Sequence, residues 1–282
     1  MSTPTRPALR WFGGKWRLGP WVLEHFPRHD AYVEPYGGAA SVLLRKPPAK
    51  LETWNDLHGR LVNFFTVLRE RPDELVQALN LTPYARAEYN QAHRQHPDPL
   101  EDARRLYVLS GQGRVGAAGD LDLSRRTSGW RYTIDVAGRN GSPPAAEFVD
   151  LSHLYAVARR FRRVQIEHDR AIAVIARYDR PEVLHYVDPP YWDPTADLHS
   201  RYAHAMTEAD HEALAEALYA CAGMVVLSGR PSGLYDQLYG NWRRVDRKAL
   251  TDSGQMGTET LWLNSAAAAA QRQQVLFGGV GA

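Results

Sequence analysis

Four consecutive residues, Asp188-Pro189-Pro190-Tyr191, follow the apolar run Leu184-His185-Tyr186-Val187. Open α/β sheets place ligands outside the carboxyl ends of their strands, so this tetrapeptide is expected to line a site. Two successive prolines stiffen the backbone and remove two amide donors, leaving carbonyls as acceptors. A carboxylate, a rigid carbonyl and an aromatic ring suit a flat heterocycle carrying an exocyclic amino group. The acid and a carbonyl accept the amino hydrogens, and the ring covers the face. The plainer alternative is a strand end closed by a Pro-Pro turn with a tyrosine in the core.

Other segments carry weaker signals of the same kind. Tyr32-Val33-Glu34-Pro35-Tyr36-Gly37-Gly38-Ala39-Ala40-Ser41 reads as strand, tight turn and helix start. Its glycines permit close backbone approach to a ligand. It lacks the GxGxxG spacing, and Glu34 fits a ligand bearing an ammonium group better than a pyrophosphate. Asn55-Asp56 ends the next predicted strand, where an acid commonly accepts ribose hydroxyls. A helix N-cap is the alternative role for Asp56. Trp11-Phe12-Gly13-Gly14-Lys15 puts a cation and aromatic rings around a turn, without P-loop spacing. Glu167-His168-Asp169 brings a further acid to the end of a strand.

These residues need a scaffold, and the chain shows one. Short apolar strands are predicted at 31–34, 51–54, 164–167, 183–187, 224–227 and 259–263. Helices are expected at 16–26, 39–45, 57–68, 150–162, 170–178 and 207–221. Such alternation predicts an α/β fold with a largely parallel sheet. The stretch 66–112 is helical in pattern, and 113–144 is rich in Gly, Ser, Arg and Asp, with one β-like piece at Trp130–Val136. Such long irregular stretches are usually functional or mobile. The expected organisation is therefore a catalytic domain from 1–65 and 161–265, an inserted module at 66–160, and a low-complexity tail at 266–282.

Composition removes several classes. The 282 residues include one cysteine, Cys221, so neither an internal disulfide nor a cysteine-built zinc site is expected. No apolar run approaches the ~20 residues of a membrane span, and MSTPTRPALR has no secretory apolar stretch. A cytoplasmic enzyme is the expectation. The eleven histidines form no metal-ligand pattern, and no metal is predicted. The 34 basic and 32 acidic residues give a formal net charge of +2, too small to identify a nucleic-acid partner. Only Lys15, Lys46, Lys50 and Lys248 are lysines. Arginine suits phosphate and guanine recognition, but codon bias explains the excess equally well.

Taken together, the ordered segments resemble Dam-type DNA adenine N6-methyltransferases with the alpha-class motif order. The resemblance rests on RWFGGK at 10–15, VEPYGGAASV at 33–42, ND at 55–56, HD at 168–169, DPPY at 188–191 and TETLWLN at 258–264. It implies a Rossmann-like, S-adenosylmethionine-dependent methyltransferase sheet with a mainly helical DNA-recognition insertion. It places Trp11 and Lys15 against the cofactor, and Glu34, Tyr36 and Gly37 near its methionine part. Asp56 would take the ribose hydroxyls and Asp169 the adenine amino group. Asp188 and the Pro189 carbonyl would accept hydrogens from the target adenine N6, with Pro190 holding the turn and Tyr191 stacked on the base. Gly38-Ala39-Ala40 departs from the family, which often has another glycine there.

Double-stranded DNA is the partner so implied, with the target base flipped into the pocket. Between 104 and 139 lie seven arginines (Arg104, Arg105, Arg114, Arg125, Arg126, Arg131, Arg139) and the acids Asp120, Asp122 and Asp135, a local excess of basic charge. Arg114, Arg125, Arg126, Trp130, Arg131 and Arg139 are the expected DNA contacts. Arg159, Arg160, Arg162 and Arg163 form a second cluster. A restriction enzyme is a conceivable companion in a bacterial or phage setting. Gln273–Phe277 faintly resembles peptides that dock on sliding clamps, although a tail folded back on the domain is the commoner arrangement. Two other readings stay open: a catalytically silent DNA-binding relative, and an RNA or cytosine-N4 amino-methyltransferase, which usually carries Ser where Asp188 stands.

Overall fold

Strands β1 (Ala31–Glu34), β2 (Leu51–Asn55), β3 (Val164–Glu167), β4 (Val183–Val187) and β5 (Met224–Gly229) are short and apolar. β4 and β5 are buried along their whole length, as parallel strands covered on both faces must be. In the computed structural model, which describes residues 4–114, 129–136, 142–192, 204–250 and 256–277, these strands pair in parallel. Two more strands, β6 (Arg243–Leu250) and β7 (Met256–Leu263), add an antiparallel hairpin. The seven-stranded order is β3-β2-β1-β4-β5-β7-β6. This is the expected α/β, Rossmann-like sheet.

The connections place helices on the sheet: α1 (Gly19–Glu24), α2 (Ser41–Arg45), α3 (Gly59–Glu70), α8 (Ser152–Phe161), α9 (Ala171–Tyr178), α10 (Glu208–Ala220) and α11 (Gly233–Tyr239). Between α3 and α8 come α4 (Pro72–Asn80), α5 (Arg86–Ala92), α6 (Pro99–Gln112) and α7 (Pro144–Val149). The described residues of 66–160 are thus mainly helical. The expected edges of this span, however, fall within helices: 65/66 inside α3 and 160/161 inside α8. One hydrophobic core runs from sheet residues such as Trp54 through Phe64 and Phe65 to Leu75, Leu106 and Leu154.

Several local expectations change. Trp130–Val136 is not a strand; it contributes one isolated bridge, Gly113 to Trp130. The helix expected at 150–162 is preceded by a separate α7, broken from α8 at Asp150–Leu151. Strand β6 and helix α11 have no counterpart among the elements expected from sequence. The alanine-rich tail forms α12 (Ser265–Phe277), consistent with alanine's high helix propensity. Ala267 and Ala268 are buried against the domain. Asn264 anchors this helix: its Oδ1 accepts from the Ala267 and Val225 amides at 2.9 and 3.1 Å. The clamp-like Gln273–Phe277 ends this helix, and the side chains from Val275 onward lie outside the described residues.

Candidate active site

The carboxyl ends of β1, β2 and β4 open onto a cavity of about 820 Å³, within the size range of small-molecule sites. Asp188, Pro189, Pro190 and Tyr191 line it after β4. Glu34, Tyr36, Gly37 and Gly38 line it after β1, Asp56 after β2, and Trp11 and Lys15 from the N-terminal turn. Segments from opposite halves of the sequence therefore meet at one edge, because the strands that carry them run the same way.

Asp188 is the most unusual group in the cavity. Its Oδ2 lies 2.9 Å from Lys15 Nζ, whereas its Oδ1 is buried with no hydrogen-bond partner. A buried acceptor left open is costly, so it marks a place where a donor is missing. Burial pushes the Asp188 carboxyl up to about 6, with Lys15 opposing and Glu259 reinforcing the rise. The acid is mostly ionised at neutral pH. Tyr191 donates its hydroxyl to Glu259, and Lys15 Nζ sits 4.7 Å from the centre of its ring.

The turn after β1 is shaped by its backbone. Gly37 lies so close to Trp54 that a Cβ there would fall 2.0 Å from the indole nitrogen. Gly38 has φ +49°, and Ala40 also takes a left-handed conformation, φ 55°. Ala40 thus occupies a position suited to glycine, in the segment where the family often has one. Asp56 braces this turn: its Oδ2 accepts from the Gly38 amide and its Oδ1 from the His58 amide, both at 2.8 Å. Asp56 is not the N-cap of α3; that is His58, whose side chain accepts from Leu61. Burial raises the Asp56 pKa, offset in part by these amides.

Glu34 is buried, and its Oε1 accepts from the Tyr32 hydroxyl at 2.5 Å and the Leu43 amide at 2.8 Å. Burial pushes it up to about 8, so at neutral pH it is largely protonated. Asn55, to which the sequence assigns no role of its own, ties the strand ends together. Its Nδ2 donates to the carbonyls of Pro35 and Asp169, and its Oδ1 accepts from the Asp169 amide.

Asp169 itself does not line the cavity. Its Oδ2 pairs with Arg177 Nη2 at 2.6 Å and its Oδ1 accepts from the Arg170 amide. The following Arg170 lines the cavity in its place. His168 is exposed and does not line the cavity, its Nε2 lying 3.2 Å from the Leu57 carbonyl, and His185 is fully buried in β4. Cys221 lies outside the cavity lining; burial pushes its thiol up to about 12, and its Sγ donates to the Ala217 carbonyl.

The arginine cluster divides. Arg104 pairs with Glu88 and Glu101 and so ties α6 to α5, while Arg105 pairs with Glu101 one turn earlier on α6. Arg160 is likewise committed to buried Glu52. Arg131 pairs with Glu147 at 2.7 Å. Arg114 is exposed and stands 5.4 Å from the Tyr132 ring, which stacks on Trp130. Arg86 covers Trp130 from 4.7 Å. Arg125, Arg126 and Arg139 lie outside the described residues.

Comparison with known proteins decides the family. The sequence pattern of the D12 class N6 adenine-specific DNA methyltransferases matches residues 11–249. The chain belongs to this family. It is a DNA adenine methyltransferase, with DNA as substrate and S-adenosylmethionine as the methyl donor the family implies. Its relatives include the DNA adenine methylase of Salmonella typhi, 27% identical over 245 residues, covering 83% of this chain and 84% of that protein. The DNA adenine methylase of Escherichia coli K12 is 27% identical over 222 residues, covering 75% and 74%. That of Serratia marcescens is 32% identical over 215 residues, covering 74% and 76%. Among the described residues no helix is long and apolar enough to cross a membrane.

Proposed function

We propose that this methyltransferase takes a flipped adenine against Asp188 and Tyr191 and modifies its N6 at a specific DNA sequence. The observation that carries the assignment is the open Asp188 Oδ1, a buried acceptor beside a tyrosine ring at the end of β4. Adenine N6 is a poor nucleophile because its lone pair is delocalised into the ring. Asp188 Oδ1 accepts one amino hydrogen, and the Pro189 carbonyl is available to accept the other. Both bonds localise the lone pair on nitrogen. Lys15 holds Asp188 Oδ2, so only Oδ1 is presented. Tyr191 covers the base face.

The cavity fits S-adenosylmethionine on its own features. Gly37 and Gly38 bring backbone without side chains to the cavity wall, Gly38 at positive φ, and braced Asp56 lines the same space. Trp11, Lys15, Glu34, Tyr36, Gly37 and Asp56 would hold it, and Asp188 closes the side where base and cofactor meet. The cofactor supplies an electrophilic methyl on a sulfonium. Holding the reacting atoms near ~3–3.5 Å supplies much of the rate. Asp169, paired with Arg177, is better placed to fix the strand end than to reach the cofactor. Arg114, Arg131 and Trp130, together with Arg125, Arg126 and Arg139, are proposed to meet the DNA backbone, where most protein–DNA contacts fall.

The test is methyl transfer from labelled S-adenosylmethionine to unmethylated genomic DNA, with modified positions mapped. Wild type should give N6-methyladenine at one short motif. Asp188→Ala should reduce the rate by about 10²–10³-fold, the usual loss for a group serving the transition state. A fully active Asp188→Ala protein would refute the assignment.

A further inference from the structure

We infer that Glu259, on the antiparallel strand β7, is a positioning residue for methyl transfer: it holds the Tyr191 ring by its hydroxyl and shares the Lys15 ammonium with Asp188. The inference rests on the roles proposed above for Asp188 and Tyr191. Glu259 does not line the cavity, so it acts through its neighbours rather than on a ligand. It is 9% exposed, and its Oε1 accepts from the Tyr191 hydroxyl. The same oxygen lies 3.7 Å from Lys15 Nζ, which is 2.9 Å from Asp188 Oδ2. One ammonium thus bridges two carboxylates, one facing the cavity and the other behind it.

The support for Glu259 is rigid. Thr260 pairs with Gly229 of β5, and Glu259 itself pairs with Arg247 of β6. Leu261, Trp262 and Leu263 continue β7 into the core. The direction in which a tyrosine ring points is set by its first side-chain torsion, and a charge-assisted bond at the far oxygen restricts it. A simpler role, neutralising buried Lys15, would need no contact to the Tyr191 hydroxyl. The charged and titratable groups facing Asp188 are Lys15 from the N-terminal turn, Glu34 from β1, Tyr186 in β4, Tyr191, and Glu259 from β7. Arg230, after β5, faces the Tyr191 ring at 5.6 Å. Among them Lys15 and the Tyr191 hydroxyl lower the Asp188 pKa and Glu259 raises it.

The experiment compares full-length wild type, Glu259→Ala, Glu259→Gln and Asp188→Asn in single-turnover methylation across pH 5–8. Cofactor binding by calorimetry is the check on folding. Glu259→Ala should lose about ten- to a hundredfold in the rate of the chemical step, the scale of a small misplacement of reacting groups, with cofactor affinity little changed. A glutamine amide oxygen can still accept from Tyr191, so Glu259→Gln should recover most of that rate. Removing the negative charge should also move the acid limb to lower pH by about half a unit or more, since a like charge near Asp188 has gone. A wild-type rate in Glu259→Ala, no recovery in Glu259→Gln, or an unmoved acid limb would each overturn the inference. If Glu259→Ala does not bind cofactor, the nearly isosteric Glu259→Gln decides alone through its pH profile. Asp188→Asn separates the two ideas: full activity there refutes the underlying role of Asp188, whatever Glu259 does.

Discussion

Asp188 and Asp169 both follow parallel strands at their carboxyl ends, and the structure treats them in opposite ways. After β4, Asp188 keeps one oxygen buried and unpartnered and faces the cavity. Beyond β3, Asp169 has both oxygens engaged, by Arg177 and by the Arg170 amide, at a half-exposed edge. Strand-end position alone therefore does not decide whether an acid faces the cavity. Asp188 and Asp169 differ in hydrogen-bonding capacity left unspent at the cavity, which Asp188 keeps and Asp169 does not.

The sharpest way to break this comparison is at the turn between the two strand ends. Gly37→Ala would force a methyl to within 2.0 Å of the Trp54 indole nitrogen. Trp54 is fully buried among Phe65 and Phe161, so the turn must give way rather than the ring. Cofactor affinity should fall by at least about tenfold, because a displaced backbone loses its close approach. Calorimetric titration would show it. Unchanged affinity would mean that ligand does not contact this turn.

A smaller effect sharpens the contrast directly. Asp169→Asn keeps an acceptor for the Arg170 amide but loses the exposed pair with Arg177, a kind of interaction worth about 0–1 kcal/mol. Activity and the KM for S-adenosylmethionine should stay within about threefold of wild type, against the loss of two orders or more at Asp188. A tenfold rise in that KM would restore Asp169 to the cofactor-binding role that the resemblance implied.

Legibility followed the kind of information each feature needs. The parallel strands were readable because burial on both faces leaves continuous apolar runs, as in Val183–Val187. Strand β6, Arg243–Leu250, was not: as an edge strand it carries Arg243, Arg244, Arg247 and Lys248, a charged pattern that blunts edges and hides the strand. The Asp188 tetrapeptide was readable because its chemistry is contiguous. Glu259 was not, since its partners Tyr191 and Lys15 are distant in sequence and meet only through the sheet order. Nor could the arginine count separate Arg114 from Arg104, whose partner Glu88 is supplied by the packing of α5 on α6. A capping signal before α3 was visible, but it went to His58, which freed Asp56 to brace the glycine turn.

The finest test uses two neighbouring alanines in the same turn. Ala39 and Ala40 are both buried, yet only Ala40 has positive φ. Replacing Ala39 by glycine deletes a buried methyl and adds unfolded-chain entropy, for a cost of about 1 kcal/mol or more. Ala40→Gly incurs the same two losses but relieves a left-handed conformation that costs a non-glycine residue roughly 1–2 kcal/mol. Ala40→Gly should therefore be close to neutral in thermal unfolding, while Ala39→Gly lowers Tm by about 2 °C or more. Equal losses at the two positions would mean that the turn carries no strain at Ala40. Glycine where the family often has one would then be serving close approach of the ligand rather than the backbone itself.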